Sequence, residues 1–211
     1  MRRSIIALVI TIAFHCLAYA VERPLNELPM YGGQHNPDVE ANKKFSQSAA
    51  DLGWQYFYSG DLDTAIKRFN QAWMFDRENA DAYWGFGLIM GQRSIKEDPE
   101  HNLKESIKYL EMANSRSPRN ARILVDLAFS HTVLGEYFLS NKKNAKDEFN
   151  KARELFKQAE SLEPEYPLVY SNWSVLEFST GNFMEAKKLL ARAKKLGFKP
   201  DPSYEKDLER K

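Results

Sequence analysis

One spacing recurs along this chain and leaves it few folds. A large apolar residue beside a small one, Leu52-Gly53, is followed by Tyr56, Gly60, Ala65, Phe69 and Ala72. The same intervals return near the end as Trp173-Ser174, Glu177, Gly181, Ala186, Leu190 and Ala193. Two more copies match once insertions are allowed: Phe86-Gly87, Met90, Ser106, Leu110, Ala113 and Pro118, then Leu127-Ala128, His131, Gly135, Ala152, Phe156, Ala159 and Pro164. Each member has a packing role at helical spacing. The large and small pair sets a knob beside a hole, so a neighbouring helix can come close. Small residues seven apart leave a smooth strip on a second helix, and the Phe or Leu between them fills the gap. Proline stops a helix at the end of a unit. Such a unit cannot bury its apolar face alone, so units of this kind stack.

The intervening sequence agrees. From Asp38 onward helical periodicity dominates and no strand-like alternation runs far. Breaks fall at Ser59-Gly60-Asp61, Gly91 to Pro99, Ser117-Pro118, Gly135, Glu163-Pro164, Thr180-Gly181-Asn182 and Lys199 to Pro202. They delimit roughly eight helices and a short ninth, joined by turns and so packed as antiparallel neighbours. At the residues quoted, the chain resembles the tetratricopeptide repeat (TPR) family. The resemblance covers 46–198 in four units, 46–79, 80–120, 121–166 and 167–198. It implies an all-α fold, a right-handed α-solenoid of about four helix pairs whose first helices line a concave surface.

Departures from the pattern are specific. Arg77 stands where the first unit's closing proline is expected, and Glu177 where a tyrosine-like residue is usual. The second and third units carry about seven and about twelve extra residues. In the second, Gly91 to Asn102 reads as a longer loop; in the third, Tyr137 to Lys151 is helix-forming and lengthens both helices. The tail 199–211 reads as a capping helix, with Asp201 as N-cap, Pro202 in the first turn, and Tyr204 and Leu208 sealing the last unit.

The beginning of the chain reads differently. Residues 1–20 combine Arg2-Arg3, an uncharged run from Ser4 to Phe14, and Ala18-Tyr19-Ala20, the three parts of a secretory signal with cleavage before Val21. The expected route is general secretion, and the expected location is a bacterial periplasm. Cleavage removes Cys16, the only cysteine, so the mature chain folds on packing alone. The segment 21–45 holds an N-terminal leader, extended with turns, and the start of the first helix. Its Leu25, Leu28, Pro29, Met30 and Tyr31 suit packing on the first units, as a cap or as an occupant of the groove.

Charge and chemistry narrow the function. With 30 basic against 29 acidic residues, nothing global draws the chain to nucleic acid. Hydrophobic residues at 43% exclude a disordered chain. There is no glycine-rich phosphate loop, no Gly-x-Ser-x-Gly and no metal-ligand spacing, so no catalytic residue, cofactor or metal is assigned. His131 reads as a packed side chain. His101, beside Glu97, Asp98 and Glu100, matches no metal motif.

The rings remain to be explained. A second stripe on the four first helices carries Ala50/Trp54/Phe57, Trp84/Leu88/Gly91, Val125/Phe129/Thr132 and Ser171/Val175/Phe178, flanked by Tyr58 and Val133. Some of these rings pack between units; the rest form a groove for an extended peptide or amphipathic helix. The expected partner-binding residues are Trp54, Phe57, Tyr58, Trp84, Leu88, Arg122, Phe129, Val133, Val175 and Phe178. Some TPR proteins clamp a C-terminal carboxylate with Lys, Arg and Asn; the matching positions here are Ala50, Trp54, Gly85, Arg122 and Asp126, of which only Arg122 suits that task. The chain thus reads as a non-catalytic exported scaffold for a protein or peptide partner. The alternative is an envelope-surface protein contacting lipid or glycan, with the basic run Lys187, Lys188, Arg192, Lys194, Lys195 and Lys199 meeting an anionic membrane surface.

Overall fold

The computed structural model of the protein describes residues 23–33 and 39–211. The signal-like segment 1–20 and leader residues 34–38 lie outside the described residues. Among those described there are nine α-helices and no strand: α1 Lys43–Tyr58, α2 Leu62–Phe75, α3 Ala80–Arg93, α4 Pro99–Arg116, α5 Ala121–Ser140, α6 Lys146–Leu162, α7 Pro167–Ser179, α8 Phe183–Lys195 and α9 Pro202–Glu209. No helix among them is long and apolar enough to cross a membrane.

Local chemistry sets the helix ends. Asn42, Asp61, Asn79, Asp98, Asn120 and Asp201 are N-caps whose side-chain oxygens accept backbone N–H groups of the first turn. Gly60 and Gly181 take φ of +84° and +80° in the turns between α1 and α2 and between α7 and α8. A residue with Cβ would be strained at either turn.

Each odd-numbered helix from α1 to α7 packs along the helix that follows it, and successive pairs stack, giving a short α-solenoid. The repeated small residues permit the close approach. The Phe69 ring of α2 fills the space left by two glycines: a Cβ on Gly53 of α1 would lie 2.7 Å from it, and one on Gly85 of α3 only 2.3 Å away. Gly135 and Phe149 repeat the device between α5 and α6, at 2.5 Å. Leu52, beside Gly53, is not a buried knob but 38% exposed, because it sits on the outer side of the first pair; its counterparts Phe86 and Leu127 are buried. A buried polar chain ties the first three helices: Asn79 Nδ2 donates to Ser46 Oγ at 2.7 Å, which donates to the Ala72 carbonyl at 2.8 Å.

The insertions resolve unequally. In the second unit the expected loop from Gly91 to Asn102 is shorter than read. Helix α3 continues through Gly91 to Arg93, and α4 begins at Pro99. The Asp98 side chain accepts from His101 N, and proline in the first turn starts a helix that the acidic sequence alone reads as a loop. In the third unit the extra residues extend mainly α5, which has 20 residues against 14 in α3. That difference projects α5 about 9 Å further.

The last pair is sealed by α9. Leu208 is 2% exposed beside Ala186 and Leu190, and the hydroxyls of Tyr204 and Ser174 share a hydrogen bond at 2.6 Å. Glu177, buried at the tyrosine-like position, is held by Arg153 Nε at 2.7 Å and Trp173 Nε1 at 2.9 Å.

The described part of the leader forms two tight turns, Leu25–Glu27 and Pro29–Gly33, against α2. Asn70 Nδ2 donates to the carbonyls of Asn26 and Leu28 at 3.0 and 2.8 Å, and Arg93 donates to the Glu27 carbonyl at 2.8 Å. Lys67 pairs with Glu27 at 2.9 Å, and Tyr31 lies 6.5 Å from Trp73. These contacts fall on a second helix of a pair and on the C-terminal end of α3, not on the stripe of first-helix rings.

Candidate functional site

The first helices of the pairs, α1, α3, α5 and α7, lie side by side along one face of the solenoid. Trp54 on α1 and Trp84 on α3 meet edge to face there, 4.9 Å between ring centroids and 70° apart. Trp54 also stands over Phe69 at 5.0 Å, which joins this surface pair to the core. Tyr58 stacks on Trp54 at 6.0 Å and 27° and is 79% exposed. Phe57 completes the group edge-on to Trp54 at 5.9 Å. Each ring is placed by helical spacing, since 54, 57 and 58 share a face of α1.

A polar centre accompanies the rings. Trp84 Nε1 donates to Asp126 Oδ2 on α5 at 2.7 Å. Burial raises the Asp126 pKa to about 6, against the lowering effect of the Trp84 hydrogen bond. Tyr166, just before α7, belongs to the same surroundings. Its phenol is raised by burial and by the Asp126 carboxylate, lowered by Arg122, and raised again by Glu163 and Tyr58. Arg122 is exposed and lies 5.5 Å over the Tyr166 ring. One turn N-terminal to Trp54 and Trp84, Asp51 and Asp81 both accept from Gln47 Nε2 at 3.0 Å.

Of the ten residues marked by sequence, Trp54, Phe57, Tyr58 and Trp84 come together, with Arg122 on the Tyr166 side. Phe129 stands 37% exposed on α5, while Val133 packs with the core between α4 and α5. Leu88 and Val175 are partly buried. Phe178 is turned away to the C-terminal cap, edge-on to Phe183 at 5.5 Å and to Tyr204 at 5.6 Å. It packs the cap because α9 covers the end of α7. Two residues of the site were not marked as such by spacing: Asp126, noted only as unsuited to hold a carboxylate, and Tyr166. The signal for Asp126 was its place on the same face as Trp84 and Phe129.

Among the described residues, no three His, Cys, Asp or Glu side chains gather as a metal site. His131 is buried and faces Glu148, Nδ1 to Oε2 at 2.5 Å, as part of the contact between α5 and α6. In the basic run, Lys188 pairs with Glu185, Arg192 with Glu160 and Lys194 with Glu205, so half of that charge is already compensated.

Comparison with known proteins bears on the fold. The sequence model of the TPR repeat matches residues 53–93. Among solved structures, a thermophilic TPR protein of Thermus thermophilus, TTC0263, is similar at TM-score 0.61 and 17% identity, over 72% of this chain and 74% of that one. Two structures of MamA are similar at TM-scores of 0.52 and 0.53 and identities of 20% and 19%, over 72% and 74% of this chain and 77% and 79% of theirs. No curated protein matches the sequence. The repeat match and the shared architecture support a TPR-type solenoid.

Proposed function

We infer that this TPR-type solenoid works as a non-catalytic scaffold, exported to a bacterial periplasm, which captures an extended protein or peptide partner on the face carrying Trp54, Trp84 and Phe129. The fold supports protein interaction in general. The observation that carries the specific reading is the tryptophan pair. Two indoles meeting at 4.9 Å remain only partly buried on a face of first helices, although each has a core residue within reach. Rigid aromatic anchors of this kind dominate binding energy when a partner covers them. The described part of the leader packs on α2 and the end of α3, away from that face. The pairing within the basic run favours this reading over a lipid-binding one, because compensated charge attracts anionic headgroups weakly.

The test is crosslinked capture from envelope extract with the wild-type protein and with a Trp84→Ala, Phe129→Ala double variant. The variant is expected to lose capture while keeping its far-UV helix signal. Undiminished capture would move the binding surface elsewhere. Export is checked by the N-terminus of the protein recovered from cells: Val21 is expected, and retained Met1 refutes the reading.

A further inference from the structure

Asp126 is costly where it stands. Trp84 Nε1 occupies Oδ2, and among the described residues Oδ1 takes no hydrogen bond and the carboxylate forms no ion pair. The nearest positive side chain on its own helix, Arg122, is one turn away and turned over Tyr166 instead. An asparagine would accept the same hydrogen bond from Trp84 without a charge. A half-buried carboxylate without a counterion costs the fold more than a neutral side chain of the same shape would, so its charge calls for a use outside the fold.

The surroundings define what would complete it. Trp54, Trp84 and Tyr58 form one ring cluster joined to Asp126 through the Trp84 hydrogen bond, and Tyr166 lies within electrostatic reach of both Asp126 and Tyr58. Ring faces carry negative potential and attract a cation, most strongly where water is partly excluded. Asp51 and Asp81, one turn N-terminal to the two tryptophans, add negative charge along the face. Arg122 is the positive group at the edge, and it disfavours a second cation beside the first.

We propose that the partner peptide presents one basic side chain, lysyl or arginyl, which seats against Trp54 and Trp84 and pairs with the free oxygen of Asp126. The proposal rests on the reading that this face captures a peptide, and it names the chemistry selected there. Apolar neighbours on the peptide meet Phe57 and Phe129, and Arg122 selects against a polybasic run.

Two capped pentapeptides, acetyl-Ala-Leu-Lys-Leu-Ala-amide and the same sequence with norleucine for lysine, test it against the 15N-labelled protein. The indole N–H resonances of Trp84 and Trp54 report the site directly, since Trp84 Nε1 is bonded to Asp126. The lysine peptide is expected to shift both resonances and to bind at least about tenfold more tightly than the norleucine peptide. In Asp126→Asn that preference disappears while the norleucine peptide binds as before. Equal binding of the two peptides by the wild type, or a lysine preference that survives Asp126→Asn, overturns the proposal and leaves peptide capture standing. No shift from either peptide overturns both. Arg122→Ala, on an exposed side chain, is a second check that puts little of the fold at stake. It is expected to strengthen lysine-peptide binding by about threefold, and unchanged or weaker binding overturns the proposal.

Discussion

Asp126→Asn should make this protein more stable at neutral pH while costing it cation selectivity. The Asp126 pKa is raised from 3.8 to about 6 by burial. Two pKa units correspond to about 3 kcal/mol at roughly 1.4 kcal/mol each. The sign follows from linkage. Below pH 4 the carboxyl is protonated in both states and contributes nothing. Between pH 4 and 6 the folded protein keeps a proton that the unfolded chain has released, so stability falls as pH rises. Above pH 6 both states are ionised and the full penalty is present. Asparagine resembles the protonated acid, since its Oδ1 still accepts from Trp84, although its amide hydrogens need partners of their own. The expected gain is therefore about 2 kcal/mol at pH 7.5, vanishing near pH 4. Urea unfolding of both proteins at the two pH values measures it. A loss of stability at pH 7.5, or a gain of equal size at both, would refute the reasoning, because the charge would then not be the source of the cost.

Other perturbations separate packing from recognition. Gly85→Ala drives a Cβ to 2.3 Å from the Phe69 ring and should cost about 1–3 kcal/mol by urea unfolding, with the helix count retained. Phe178→Ala should lower stability by about 2 kcal/mol through the α9 cap and leave peptide affinity unchanged; lost affinity would return Phe178 to the binding face. Arg93→Ala removes the donor to the Glu27 carbonyl and should speed proteolysis after Tyr31 by about tenfold at an unaltered far-UV signal. Lysine-peptide binding should weaken between pH 7.5 and 5 as Asp126 takes up its proton. The Tyr166 phenol, raised by burial, stays neutral across that range. A flat profile would place the peptide's charge elsewhere.

The solenoid was legible because its constraints are local and repeated. Gly53, Ala65, Phe69 and Ala72 must be small or large where they are for α1 and α2 to touch, and the same demand recurs in each pair. The cap was legible for a related reason: Asp201-Pro202 is a helix start in any context. The stretch from Gly91 to Asn102 was not. Glycine, proline and three acids suggest a loop by composition, but Gly91 lies against Ser106 of α4, where a Cβ would be 3.3 Å from its hydroxyl. Tertiary packing, absent from a window of sequence, decides that α3 runs on.

The site divides along the same line. Periodicity places a side chain on a face of its helix; Trp54 and Trp84, set on one face by it, meet at 4.9 Å, while Phe129 stands exposed on α5. Periodicity cannot tell which residue of that face is claimed by another element, and so it assigned Phe178 to the groove although α9 takes it. Nor can it supply the desolvation that gives Asp126 its meaning. On a solvated helix, Asp126 four residues after Arg122 would be an ordinary surface ion pair worth little. Here Arg122 lies over Tyr166, and Trp84 holds the carboxylate from the neighbouring pair. The charge is placed there because two first helices, α3 and α5, meet at the boundary between two pairs. A feature created by the stacking of units belongs to no single repeat, and for that reason it is where one solenoid can differ in partner from another that shares its packing residues.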